Sequence, residues 1–411
     1  EYAAWKKSHQ PFHWFAEYYG IVEGRGGFDV IIGNPPYLEA RQIKYEPKGL
    51  RTLESNAVHS MCIERSMQVL NPLHGGVSMI VPLSIVCTQR MVSTQALIED
   101  GRTTWYSNFA WRPGKLFDAV NRALTVFVAV SNAAPVTYAT GYTKWNSEAR
   151  DDLFPTIAYE RVNRKRTSFF VPKHQSPVEA TLLTKILGAD KSVGHEVSQQ
   201  GGTPIFYRTT GGLYWKVFTD FAPRFELNGK PSSSSRETHF NIRSGAQSSR
   251  FIALLSSNLF WWWYTISANL RDLNPADING FRYPASIEND DDLDRLGRDF
   301  LDELQENSVM LVRKQRTTGT TATQSFKISL SKPILDKIDV LLGEHYGLSE
   351  EELDHVINYD IKYRMGDELD GEDADEAAPA EPKATKAKPP KAAKPKPASA
   401  KAPAEDPDPF V

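Results

Sequence analysis

The sequence has only two cysteines, Cys62 and Cys87, in 411 residues. That is too few for a disulfide framework or a cysteine-rich zinc site. It has no signal peptide and no apolar run long enough to span a bilayer, so a cytoplasmic protein with no membrane partner is expected. It has no excess of positive charge. With a net charge of −3, attraction to a polyanion would have to come from local basic surface. It also has no strand–glycine-turn–helix signature. Gly24-Arg25-Gly26-Gly27 leads directly into a strand and reads as a loop. What the chain does have is apolar bulk. Hydrophobic residues make up 40%, with 16 Tyr, 20 Phe and 9 Trp, enough for large cores in two or three domains.

The most informative stretch is Phe28-Asp29-Val30-Ile31-Ile32-Gly33-Asn34-Pro35-Pro36-Tyr37. Val30, Ile31 and Ile32 predict a strand buried on both faces of an α/β sheet. Gly33 permits an unusual backbone angle, and two prolines forbid both helix and ladder. Asn34, preceding a proline, is pushed out of the helical region. A rigid loop is therefore expected at the carboxyl end of a buried strand, where open α/β sheets bind ligands. It offers an amide side chain, an uncommitted carbonyl and an aromatic ring.

Asn34-Pro35-Pro36-Tyr37 resembles the catalytic motif of amino-methylating methyltransferases that use S-adenosylmethionine. The chemistry suits the residue types. An exocyclic amine is a poor nucleophile because its lone pair is conjugated into the ring. Two acceptors aimed at its hydrogens, the Asn34 side-chain oxygen and the Pro35 carbonyl, favour a pyramidal nitrogen. Tyr37 would stack on the base, worth about 1–3 kcal/mol. Some methyltransferases acting on protein glutamine amides carry the same tetrapeptide.

Along the chain, residues 1–20 are dense in aromatics that would pack as core or against a preceding part. Leu38 to Leu53 reads either as a loop closing over a substrate or as an ordinary solvated loop. Asn56 or Ser55 is expected to cap a helix carrying Val58, Met61, Cys62 and Val69, and Asn71-Pro72 and Gly75-Gly76 to end it. Val77–Val81, closed by Pro82, is the next strand, which makes a right-handed parallel crossover unit. A helix at 91–100 and a strand at 103–110 follow. Then come a basic loop, Arg112-Pro113-Gly114-Lys115-Leu116-Phe117, and a strand at 124–130. In this fold class the two late strands commonly pair at a sheet edge.

This order resembles the gamma-type adenine-N6 DNA methyltransferases, within them the large methylases of type II and type IIG restriction–modification and related phage-defence systems. The resemblance implies S-adenosylmethionine as donor, adenine N6 in duplex DNA as acceptor, base flipping and no metal. It also implies a restriction or defence-system subunit as a partner. It names Phe127 as the aromatic facing Tyr37 across a flipped base, with ordinary core as the alternative. The donor-binding strands, and with them the cofactor-binding residues, are expected upstream of Glu1. The sequence shows no paired carboxylates with the lysine spacing of a restriction nuclease.

The implied architecture is α/β. A partial Rossmann-like methyltransferase sheet (1–140) is followed by an α+β target-recognition region (141–290), a helical C-terminal segment (291–365) and a disordered tail (366–411). In the recognition region, Arg161, Arg164, Lys165, Arg166 and Arg271 are the DNA-binding candidates. The run Phe260-Trp261-Trp262-Trp263-Tyr264 reads as core rather than base-stacking. Asn274-Pro275-Ala276-Asp277 reads as a capped helix start, and Ser349-Glu350-Glu351-Glu352 as a capping box. The tail has seven acids between Asp367 and Glu376 and seven lysines between Lys383 and Lys401, a composition that cannot bury enough surface to order itself. It reads either as a solubilising tail or as a weak DNA contact through its lysines. Two other functions remain open: a DNA-recognition fragment without catalysis, and methylation of a protein glutamine amide.

Overall fold

The computed structural model describes residues 1–9, 12–165, 167, 169–210, 215–315 and 319–365. The tail 366–411, Arg166 and the pair Gly211-Gly212 lie outside the described residues.

Strand β1 (Val30–Gly33) pairs in parallel with β2 (Gly76–Pro82), in register from Val30↔Gly76 to Gly33↔Met79. The helix Val58–Val69 crosses between them, as the alternation of apolar run, amphipathic run and apolar run requires. β3 (Arg102–Phe109) and β4 (Leu124–Ser131) are antiparallel to each other, and β4 is antiparallel to β2. β5 (Thr137–Thr143) runs parallel to β3, and β6 (Glu160–Arg161) is antiparallel to β5. The strand order is β1-β2-β4-β3-β5-β6.

Three features differ from expectation. The late antiparallel pair β3/β4 lies inside the sheet rather than at its edge, because β5 and β6 add outside β3. The sheet also runs past residue 140, which falls within β5, where Tyr138 stacks on its partner Trp105 with ring centroids 5.9 Å apart. Finally, β1 is an edge strand among the described residues, not one buried on both faces: Val30 and Ile32 are 65% and 80% exposed.

The entry to β1 depends on one glycine. Gly27 has φ +124°, and a Cβ there would lie 2.6 Å from the backbone nitrogen of Asn71. The Asn71 side chain donates to the Arg25 carbonyl at 2.9 Å, so the turn is sewn to the end of the Val58–Val69 helix. That helix starts at Ala57 without a side-chain cap. Asn56 instead adopts φ +53° and ends a short 3₁₀ turn, Arg51–Ser55, while the Ser55 hydroxyl accepts the Ala57 N–H. Both proposed caps are engaged in the preceding turn.

The second core gathers around the tryptophan helix Asn258–Ser267, every residue of which is buried. The Ser257 hydroxyl caps its start by accepting the Phe260 N–H at 3.0 Å. The helices Pro177–Gly188, Ser248–Ser256, Asp291–Glu306 and Lys332–Tyr346 contribute to the same core, with a four-stranded sheet that includes Thr203–Arg208 and Glu237–Ile242. The N-cap at Asn274, which the structure completes as a capping box with Asp277, and the capping box at Ser349 form, with Pro275 in the first turn. The segment 291–365 is not wholly helical, because Ser308–Gln315 and Gly319–Phe326 form an antiparallel hairpin. Its valines and threonines favour strand, and the second of these strands finds a partner in Phe225–Leu227.

Candidate active site

Because β1 and β2 are parallel, their carboxyl ends share one sheet edge, and Asn34-Pro35-Pro36-Tyr37 leaves β1 there. Asn34 and Pro36 are exposed, Pro35 is buried and Tyr37 is half-buried. Tyr37 donates from its hydroxyl to the Ile80 carbonyl of β2 at 3.2 Å. Its ring packs on a small core of Phe109, Leu116, Leu124, Trp145 and Leu153. Burial pushes the phenol up to about 12, with the Arg122 cation opposing that rise. Tyr37 is therefore neutral at physiological pH, and its hydrogen bond fixes the ring. Gly33 sits within β1 outside the left-handed region, and a Cβ there would meet only Met79 side-chain atoms at 3.6 Å. The glycine the backbone requires is Gly27, not Gly33.

Among the described residues, nothing donates to the Pro35 carbonyl and nothing pairs with the Asn34 side chain. One carbonyl and one amide oxygen are thus uncommitted beside a held aromatic ring.

The stretch after Tyr37 is pinned at both ends. Near its start, Glu39 accepts from Arg90 at 2.9 Å and from the Asn56 amide at 3.2 Å. Near its end, the buried Glu64 carboxylate accepts the N–H groups of Arg51 and Thr52 and the Thr52 hydroxyl, at 2.8–3.0 Å. Burial alone would raise the Glu64 pKa, but these bonds outweigh it and hold it below the usual range.

His59, which the sequence gave no reason to single out, lies beneath this region. It is 4% exposed, and neither ring nitrogen has a partner. Burial first, and then the Arg90 and Arg122 cations, lower its pKa from 6.5 to about 4. A folded-state pKa below the unfolded one means that the unfolded chain takes up the proton first. Stability is therefore present above pH 6.5 and is lost as pH falls towards 4. The expected loss is about 3 kcal/mol, from 1.36 kcal/mol per pKa unit. Urea midpoints of the protein and of His59→Leu, compared from pH 7 to pH 4, check this; parallel curves would refute it.

Phe127 is not the aromatic facing Tyr37. It is fully buried, pairs with Met79 across β2, and its ring lies 6.4 Å from that of Tyr106. Side chains alternate along a strand. Leu124 and Val126 therefore pack on the Tyr37 side, while Phe127 and Ala129 belong to the core on the opposite face.

Arg164 is also not a free DNA contact. Its guanidinium donates to Glu99 at 2.9 Å, to Gln95 at 2.7 Å and to the carbonyls of Thr167 and Phe170. The Tyr106 hydroxyl also donates to Glu99. Burial pushes the Glu99 carboxyl up, and Arg164 opposes that rise. Arg164→Ala would leave this buried carboxylate unpaired and is expected to cost about 3–5 kcal/mol of stability. Thermal unfolding measures that loss. A variant with native stability and weakened DNA binding would reverse the assignment. Arg161, Lys165 and Arg271 are exposed, and no described contact brings Arg271 to the other two.

The glycine-rich turn before β1 does not form a cradle for a methyl donor. The space at Gly27 is filled by the backbone of Leu70 and Asn71. No helix among the described residues is long and apolar enough to cross a membrane.

The parallel β1/β2 unit thus carries Asn34-Pro35-Pro36-Tyr37 at its carboxyl end. Residues 2–110 match the family model described as Eco57I restriction-modification methylase. No curated protein matches the sequence. Among solved structures, the Type IIL restriction-modification enzyme MmeI in complex with DNA aligns at 11% identity and a TM-score of 0.43, covering 82% of this chain and 57% of that one. A nuclease-deletion mutant of the Type ISP restriction-modification enzyme LlaGI aligns at 10% identity and a TM-score of 0.39, covering 75% and 47%. A component of a type I R-M system aligns at 15% identity and a TM-score of 0.25, covering 39% and 42%. The chain thus spans about half the length of these structures.

Proposed function

We propose that this chain carries the acceptor side of a site-specific DNA methyltransferase of the gamma type, which methylates adenine N6 in duplex DNA as part of a restriction–modification or phage-defence system. The observation that carries this reading is the pair of uncommitted acceptors, the Asn34 amide oxygen and the Pro35 carbonyl, at the edge where β1 ends and beside the immobilised Tyr37. An adenine turned out of the stack would lie against Tyr37. Its two N6 hydrogens would be taken by Asn34 and Pro35, which localises the lone pair on nitrogen. S-adenosylmethionine supplies the methyl group when bound. Arg161, Lys165 and Arg271 are the exposed cations assigned to DNA phosphates, and a restriction or defence subunit is the expected protein partner.

The test is transfer of a labelled methyl group to duplex DNA by the full-length protein, with product digestion to nucleosides and a glutamine peptide as competing acceptor. N6-methyladenosine is expected. Label only in peptide would overturn the DNA assignment. A second reading, DNA recognition without catalysis, draws on the filled turn at Gly27. Calorimetry with S-adenosylmethionine separates the two: DNA binding without donor binding favours the second.

A further inference from the structure

We infer that Arg122 is a substrate-positioning residue that holds the phosphate beside the nucleotide presented to Tyr37, an assignment that rests on the base-extrusion reading above. The register places it. Leu124 opposes Pro82 at the end of β2, and Tyr37 is bonded to Ile80 two residues earlier. Arg122, just before β4 begins, therefore lies at the same end of the sheet as Asn34-Pro35-Pro36-Tyr37. It is close enough to Tyr37 for its charge to act on the phenol, and it acts on the buried His59 as well.

Its backbone is held on the side towards β4. The Ala123 carbonyl accepts the Leu83 N–H at 3.0 Å. Before it, the Lys115 ammonium donates to the Asn121 side chain at 2.9 Å, and Arg150 donates to the Lys115 and Leu116 carbonyls at 3.2 and 2.9 Å. The other cations near this loop are occupied in this way. Arg112 lies over the Trp111 ring at 4.4 Å. Arg122 is exposed and, among the described residues, makes no hydrogen bond or ion pair, not even with Asp118 of the same loop. An exposed, unpaired guanidinium at the sheet end where Tyr37 is held fits a phosphate diester, which it can grip with two parallel N–H bonds. Neither nitrogen of His59 is charged at neutral pH, so the cation has no buried competitor for that anion.

The experiment compares the full-length protein with Arg122→Gln and Arg122→Lys. The probes are a labelled duplex of random sequence and the same duplex carrying one extrahelical adenine, with affinity read by fluorescence anisotropy across a salt series. The unaltered protein is expected to prefer the extrahelical adenine. Arg122→Gln is expected to weaken that complex by about tenfold and to lower the slope of log K against log salt by about one. The random duplex should change by less than about twofold. Arg122→Lys should restore the salt slope, since it keeps the charge, but only part of the affinity, since an ammonium cannot form the two parallel bonds. Unaltered affinity and slope in Arg122→Gln would remove the assignment. Equal loss on both probes would make Arg122 a general DNA contact and also overturn it. If the unaltered protein shows no preference for the extrahelical adenine, the base-extrusion reading falls first.

Discussion

Asn34→Ala is expected to lower methyl transfer to DNA by at least about 100-fold to 1000-fold, the range for removing one preorganised polar group from a transition state. DNA affinity and thermal stability should stay within about twofold and about 0.5 kcal/mol of the parent, because exposed substitutions away from structural contacts are nearly neutral. The geometry supports this split. The Asn34 side chain is exposed, supports no described neighbour and caps no helix. Its loop is held by other groups, namely the buried Pro35 and the bond from Tyr37 to Ile80. Truncation therefore deletes an acceptor and little else. The loss should fall on kcat, since a bond that tightens as the amine becomes pyramidal stabilises the transition state more than the bound substrate. Single-turnover rates with saturating DNA and donor are the measurement. A full-length protein that keeps its parental rate as Asn34→Ala does not use this loop for chemistry. A fall in DNA affinity with unchanged single-turnover rate would make Asn34 a binding residue instead.

A large stability effect is expected at Asp339. This carboxylate is buried and accepts the backbone N–H groups of Asn258 and Leu259 at 3.1 and 3.0 Å, together with the Asn258 amide. It thereby closes the amino end of the tryptophan helix. The buried Arg364, whose guanidinium stacks 3.8 Å from the Trp215 ring, adds its charge. Burial lowers Arg364 to about 10, so it remains a cation. Asp339→Ala leaves the buried N–H groups of Asn258 and Leu259 without their acceptor and removes the charge facing the buried Arg364, and is expected to cost about 3–5 kcal/mol. Burial also pushes Asp339 up to about 7. A folded-state pKa above the unfolded one means that the folded chain holds the proton longer. The contribution is complete below about pH 4 and is lost as pH rises through 7. Asp339→Asn, which does not ionise, should lack that loss while keeping an acceptor for the helix end. Denaturant midpoints of the three proteins from pH 4 to pH 8 are the test. Asp339→Ala unfolding with parental stability, or Asp339→Asn retaining the full pH slope, would show that the helix end does not depend on this carboxyl.

Both sites involve polar groups that a linear reading treats unequally. Asn34 stands out because two prolines and a preceding apolar run restrict its backbone, a matter of neighbours in sequence. Asp339 does not stand out, because its partners Asn258 and Leu259 are about eighty residues away. Phe127 lies between these cases. Strand alternation was legible, but which parity faced Tyr37 was not, since a shift of one residue exchanges the two faces. Arg164 has the same local look as Arg161 and Lys165, and only the position of Glu99 and Gln95 separates a core ion pair from surface cations.

By itself the sequence determined the features that short-range chemistry controls. These are the strand–proline loop at Asn34-Pro35-Pro36-Tyr37, the parallel unit around Val58–Val69, the N-cap at Asn274 and the capping box at Ser349, and the burial of Trp261, Trp262 and Trp263. Each depends on residues within a few positions of one another, or on apolar bulk that must leave water wherever it goes. Tertiary structure alone decided that β1 lies at an edge among the described residues, that β5 and β6 extend the sheet beyond residue 140, that Ser308–Gln315 pairs with Gly319–Phe326, and that Arg122 stands beside Tyr37 without a described partner. The reason is that a strand neighbour, a sheet face or a counter-ion is chosen by packing between segments distant in the chain, and no local pattern records that choice.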